Sequence, residues 1–217
     1  MAIEHKSIAA IREDYTKGAL SEYDVDVNPF VQFKNWFDQA LNAEVVEPNA
    51  MVLSTISEDG FPSSRVVLMK DIKDNGISFF TNYESQKSID ILRNPKVSIL
   101  FFWPELQRQV RIEAHSERLN EDDSTEYFQS RPKGSQIGAW ASPQSQIIPN
   151  REFLEQRVAY FEDEFKDKVI LPRPDHWGGF LLRPIKFEFW QGRSSRLHDR
   201  IQYDKVDGQW ILNRLAP

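Results

Sequence analysis

Three runs decide the fold: Ala50-Met-Val-Leu-Ser-Thr-Ile-Ser57, Ser63-Ser-Arg-Val-Val-Leu-Met-Lys-Asp71 and Ile77-Ser-Phe-Phe-Thr-Asn82. The breaks between them are Glu58-Asp-Gly-Phe-Pro62 and Asp74-Asn-Gly76. The runs are rich in β-branched and aromatic residues and read with a period of two, whereas the breaks carry turn residues. Strands joined by two tight hairpins in succession make an antiparallel meander.

Downstream of the meander, Ser85 is placed to cap a short helix, Gln86–Arg93, which Asn94-Pro95 ends. Lys96–Trp103 is a strand apolar almost throughout, so it is expected to be buried on both faces. Gln107–Leu119 alternates in polarity and reads as a long strand. Residues 121–131 read as a helix whose acidic start complements the helix dipole. Residues 130–145 are polar and broken by Gly and Pro, which predicts a loop. Asn150–Phe165 is an amphipathic helix with Phe153, Val158, Phe161 and Phe165 inward, and a Pro-rich connector follows. Trp177–Leu182 and Ile185–Trp190 read as two strands. A last hairpin pairs Arg200–Val206 with Gln209–Leu215 across Asp207-Gly208.

Upstream, residues 7–17 read as a short helix ended by Gly18, with Arg12 and Tyr15 on one side. Asn28-Pro29 starts a second helix, whose stripe Phe30, Phe33, Trp36, Phe37, Ala40 and Leu41 belongs in a core. The sum is seven or eight antiparallel strands with peripheral helices. That is a mainly β (α+β) chain, best built as a closed or partly open barrel with helices attached. Residues 1–217 are read as one domain, with a helical N-terminal extension at about 1–45.

Composition narrows the chemistry. With 40% hydrophobic residues, 15 Phe and 6 Trp, the 217-residue chain can build a substantial core. It has no Cys, which removes thiolate ligands and nucleophiles, and its four His show no metal-ligand spacing. No signal-peptide pattern or membrane-length apolar run is present, so a soluble cytoplasmic protein is expected. A net charge of −6 argues against a general nucleic-acid binder. An anion site must then be a local gathering of Arg and Lys.

Phe187-Glu-Phe-Trp190 reads as a strand, Gln191 to Ser195 interrupt it, and Gly192 is expected to supply the bend. Arg196, His198 and Arg200 then alternate, so an extended chain would put all three on one face. Like charges so arranged call for something anionic opposite, or else form a solvated basic edge. Arg65, Lys70, Lys87, Gln109, Arg131, Ser135, Gln144, Ser145, Arg196 and Arg200 make an inventory suited to holding phosphates. Arg65 and Lys70 lie five apart, so strict alternation puts them on opposite faces. Either a bulge intervenes or they serve different phosphates.

Five segments occur in one order at one spacing. They are Arg65-Val-Val-Leu-Met-Lys70, Phe79-Phe-Thr-Asn82, Ser130-Arg-Pro with Ser135-Gln-Ile-Gly-Ala-Trp-Ala-Ser-Pro-Gln-Ser145, Glu188-Phe-Trp-Gln-Gly192 with Arg196-Leu-His-Asp-Arg200, and Arg214-Leu-Ala-Pro217. In this the chain, from Arg12 to Pro217, resembles the pyridoxine (pyridoxamine) 5′-phosphate oxidases. The resemblance implies a Greek-key split-barrel homodimer with FMN in a cleft between subunits. It implies oxidation of pyridoxine 5′-phosphate or pyridoxamine 5′-phosphate to pyridoxal 5′-phosphate, with dioxygen as acceptor and hydrogen peroxide released. Arg65, Val66, Val67, Leu68, Met69, Lys70, Phe80, Thr81, Gln86, Lys87, Gln109, Gln144, Ser145, Trp190 and Arg200 would line FMN. Lys70, Tyr127, Arg131 and Ser135 would hold the substrate phosphate. Arg196 and His198 would face the reacting carbon as catalytic residues, and Arg12 and Tyr15 would close over the substrate. No metal, nucleic acid or membrane is implied. Gln86 departs from the family, which commonly has a second basic residue there. The lost charge-assisted bond implies FMN affinity lower by about 1.5–3 kcal/mol unless a neighbour compensates. Another split-barrel flavin reductase, or a barrel that binds flavin or pyridoxal phosphate without turnover, is the alternative.

Overall fold

The computed structural model describes residues 14–73 and 75–217. Nine strands form in this part of the chain: β1 (Ala50–Ile56), β2 (Pro62–Leu68), β3 (Asp71–Lys73), β4 (Gly76–Asn82), β5 (Lys96–Trp103), β6 (Arg108–Arg118), β7 (Trp177–Gln191), β8 (Asp199–Val206) and β9 (Gln209–Leu215). Five α-helices accompany them: α1 (Pro29–Asn42), α2 (Gln86–Arg93), α3 (Glu121–Ser130), α4 (Lys133–Ala141) and α5 (Arg151–Glu164). The strands hydrogen-bond in the order β2-β1-β5-β6-β7-β4-β3, with β8 on β7 and β9 on β8.

The meander forms as read, with one difference. The second run is two strands: β2 ends at Leu68 and β3 begins at Asp71. At the break the chain changes partner. Met69 N–H donates to Asn49 O, and Lys70 N–H donates to Ser78 O. β2 is therefore registered on β1 (Arg65 opposite Leu53) and β3 on β4 (Asp71 opposite Ser78).

By contact density the chain divides into two compact units, one central (Asn49–Ile99 and Glu113–Ile185) and one holding both termini. The central unit's core is Met51, Leu53, Ile77, Phe79, Ile99, Phe180 and Leu182, all 3% exposed or less. A second cluster there joins Phe128, Ile137, Phe165, Leu171 and Trp177. In the terminal unit, Asn28 caps α1 by accepting from Phe30 N–H, and Pro29 opens the helix. The predicted stripe then packs as expected: Phe30 meets Phe187, Phe33 meets Phe101 and Trp36 meets Phe189, at 5.0–5.2 Å between ring centres. Leu41, counted in that stripe, is exposed.

Several local expectations are corrected. The N-terminal helix expected over 7–17 lies mostly outside the described residues, and its described end, from Asp14, is not helical. Ser85 precedes α2 but makes no side-chain cap. Its hydroxyl donates instead to Asn82 O. β5 is buried on one face only, because Val97, Ile99, Phe101 and Trp103 face inward while Phe102 is 55% exposed. Residues 133–141 are helix α4, not loop. Ile137 and Ala141 bury one side, and the Trp140 indole donates to Pro172 O at 2.9 Å. The two strands expected around Pro184 are one, β7. Its pairing with β4 stops at Leu182 and that with β8 starts at Lys186, so Pro184 falls where neither of these ladders needs its missing N–H.

Candidate active site

A cavity of about 800 Å³ opens in the central unit. β2 contributes Arg65, Val66, Val67 and Leu68, and the break after it contributes Lys70. Phe80 and Thr81 come from β4, Gln86 and Lys87 from the first turn of α2, and Gln144 and Ser145 from the segment after α4. Tyr127, Arg131 and Ser135 close the far wall. The partner change at Met69–Lys70 answers the alternation puzzle, because it resets the facing of the chain between Arg65 and Lys70. Met69 is buried in the core and does not line the cavity.

The cations are held in advance of any anion. Arg65 Nη1 donates to Leu53 O at 3.2 Å and Thr55 Oγ1 at 2.8 Å, and Nη2 donates to Ser63 Oγ at 2.7 Å. Burial pushes this guanidinium below its ordinary pKa, and the Asp90 charge works the other way. Among the described residues, Lys87 Nζ reaches only hydroxyls, Thr81 Oγ1 at 3.3 Å and Ser85 Oγ at 3.2 Å. Burial first, and then the Arg65 charge, push Lys87 down. Arg131 lies over the Trp177 ring at 4.6 Å, and its buried Nη1 has no hydrogen-bond partner among the described residues. Burial pushes it down as well, with Tyr127 opposing. Phe80 and Tyr127 stack at 3.9 Å between centres and form an aromatic floor in the cavity. Gln144 Oε1 accepts from Thr81 Oγ1 and Asn82 N–H, which fixes the strand-to-loop corner.

The other expected site residues lie in the terminal unit, apart from Arg12, which is outside the described residues. Trp190 and His198 rings meet at 4.5 Å, and Tyr15 packs on both at 5.9 and 5.8 Å. Gly192 is needed for this contact and not for a bend, since a Cβ there would lie 2.8 Å from Tyr15 Cγ. The bend comes from Ser195 and Arg196, whose φ values are 55° and 60°. They sit in a 3-10 turn, Ser194–Arg196, so the expected extended alternation of Arg196, His198 and Arg200 is not formed. His198 Nδ1 accepts from Arg193 N–H at 3.1 Å. The neutral ring therefore carries its proton on Nε2. Burial, and next the Arg196 charge, lower its pKa from the ordinary 6.5. Arg200 is tied by Nε to Glu188 Oε1 at 2.9 Å and by Nη1 to Ala216 O at 2.9 Å. Gln109 is half-buried on β6.

A family model described as pyridoxamine 5′-phosphate oxidase matches residues 37–164. The chain belongs to the pyridoxamine 5′-phosphate oxidase family. A second model, the pyridoxine 5′-phosphate oxidase C-terminal dimerisation region, matches residues 177–217. A pyridoxine/pyridoxamine 5′-phosphate oxidase of Polynucleobacter asymbioticus is 56% identical over 97% of this chain and 99% of its own. One of Nostoc punctiforme is 51% identical over 98% and 99%. Among solved structures, PhzG from Burkholderia lata in complex with tetrahydrophenazine-1-carboxylic acid superposes with a TM-score of 0.85. It is 31% identical over 92% of this chain and 98% of that one. The fold is the mainly β split barrel with attached helices expected from the sequence.

For a pyridoxamine 5′-phosphate oxidase the cavity chemistry fits. A half-buried Arg65 and a buried Lys87 bonded to neutral oxygens, with one Arg131 nitrogen unpaired among the described residues, suit phosphate groups. Lining residues that sequence reasoning missed are Ser63, Ser64, Asn82, Pro132 and Trp177. Ser63 was findable, because it lies two before Arg65 on one strand face. Trp177 carried no signal, since its role depends on Arg131 reaching it from α3's end.

Proposed function

We propose that this chain, as a member of its family, oxidises pyridoxine 5′-phosphate or pyridoxamine 5′-phosphate to pyridoxal 5′-phosphate. The alcohol and dioxygen give the aldehyde and hydrogen peroxide. The amine, dioxygen and water give the aldehyde, ammonia and hydrogen peroxide. The observation that carries the reading is one cavity lined by Arg65, Lys70, Lys87 and Arg131 together with the stacked Phe80 and Tyr127 rings. Arg65 and Lys87 take the FMN phosphate, while Lys70 and Arg131, with Tyr127 and Ser135, take the substrate phosphate. FMN, when bound, supplies the two-electron acceptor that dioxygen regenerates.

The protein's own part is position and charge. A clamp at the substrate phosphate fixes register at a distance from the reacting carbon. Phe80 and Tyr127 exclude water from the floor. Arg196 orients the substrate ring. His198 presents Nε2–H in its neutral form, because Nδ1 is held by Arg193 N–H. Trp190, Arg200 and Gln109 are assigned to flavin binding, and Tyr15, packed on Trp190 and His198, to substrate binding. The match to a dimerisation region supports a homodimer. We place FMN at its subunit interface and the enzyme in the cytoplasm, where charged phosphate esters are retained.

The test is direct. Purified protein should be yellow, bleach on anaerobic addition of pyridoxine 5′-phosphate, and release peroxide when air is readmitted. The Burkholderia structure holds a carboxylic acid without phosphate, so tetrahydrophenazine-1-carboxylic acid belongs in the same assay. Turnover of that acid with none of either phosphate ester would overturn the assignment.

A further inference from the structure

Asp90 lies on α2 and is fully buried. One carboxylate oxygen, Oδ1, accepts from Gln86 Nε2 at 2.9 Å. The other, Oδ2, accepts from Thr55 Oγ1 at 2.8 Å, and that same hydroxyl accepts from Arg65 Nη1 at 2.8 Å. The acid is thus one hydroxyl removed from a cavity cation, and its charge acts on Arg65. The hydrogen bonds of Arg65 and Lys87 otherwise go to hydroxyl and carbonyl oxygens. Gln86, the residue between Asp90 and the opening, is neutral and cancels none of the acid's charge.

We propose that Asp90 is an affinity-tuning residue, the resident counter-charge of the flavin-phosphate wall. This rests on placing the FMN phosphate at Arg65 and Lys87. In cofactor-free protein, Asp90 offsets the mutual repulsion of two poorly hydrated cations. With FMN bound, the same buried negative charge opposes the phosphate, in a setting where charges act more strongly than in water. Both effects have one sign: Asp90 stabilises the cofactor-free protein and weakens FMN binding.

Asp90→Asn isolates the charge. Asparagine keeps an oxygen for Thr55, and its amide can donate to Gln86 once the Gln86 side chain flips. Flavin-fluorescence titrations of the stripped full chain with FMN and with riboflavin, which lacks the phosphate, test the idea. The variant should bind FMN at least about tenfold tighter, or ~1.4 kcal/mol, with riboflavin affinity unchanged. Stripped variant should also melt below stripped wild type, and FMN should close that gap. Unchanged or weaker FMN binding, or equal tightening for riboflavin, would overturn the proposal. Should the stripped variant not refold, rescue by FMN and not by riboflavin is the expected result; rescue by riboflavin, or by neither, counts against it. Wild type that binds FMN no better than riboflavin would instead overturn the placement of the phosphate.

Discussion

Arg131 is held by its stacking on Trp177 and keeps one buried nitrogen unpaired among the described residues, so its side chain is committed before any ligand arrives. Removing a charge-assisted bond costs about 1.5–3 kcal/mol, or roughly 10- to 150-fold in affinity. Arg131→Ala and Lys70→Ala should each raise the substrate KM by about that factor, and FMN affinity should shift far less. Steady-state kinetics at saturating FMN, beside a flavin titration, checks this; unchanged KM in both variants would remove the clamp. The depressed pKa of His198 gives a second prediction. A lowered imidazole pKa means the ring stays neutral down to a pH below its ordinary midpoint and gains its proton only below that. Arg196→Gln removes one of the two causes, so the His198 midpoint should rise towards 6.5. An NMR titration of that ring reads it directly, and a midpoint that stays or falls contradicts the assignment. Turnover in the same variant should drop while FMN remains bound.

At the scale of elements, β7 carries the tightest constraint on the cavity floor. A Cβ at Gly179 would collide with Leu119 and lie 2.8 Å from the Phe80 ring. Overpacking of this kind costs about 1–3 kcal/mol. Gly179→Ala should lower stability by that amount in urea denaturation and weaken flavin binding as Phe80 is displaced towards Tyr127. Wild-type values of both would show that the floor yields freely. The strands were legible because alternation and turn residues mark them locally. Helix α4 was not, because Gly134, Gly138 and Pro132 all speak against a helix. What stabilises it is packing of Ile137 and Ala141 and the Trp140 bond to Pro172, which are tertiary facts. The turn at Ser194–Arg196 was hidden for a similar reason: neither Ser nor Arg advertises a positive φ. The cavity residues were legible through family resemblance, whereas Asp90 reads in sequence as one more solvated helix acid.

At the scale of the whole molecule, the match of residues 177–217 to a dimerisation region predicts a particle of twice the 25.4 kDa chain mass. Light scattering after size exclusion measures it, and a single-chain mass at micromolar concentration would contradict the dimer. The same region holds Trp190, Arg196, His198 and Arg200, so dilution that separates subunits should release flavin in step with the fall in mass. No helix among the described residues is long and apolar enough to cross a membrane. The break at Met69–Lys70 has a consequence for how such an enzyme can change over time. Arg65 takes its register from β1 and Lys70 from β4. An insertion or deletion that slides β2 along β1 carries the cofactor-side cation with it and leaves the substrate-side cation in place. The two binding preferences are thus inherited separately, and a lineage can trade one substrate for another without renegotiating its hold on the flavin.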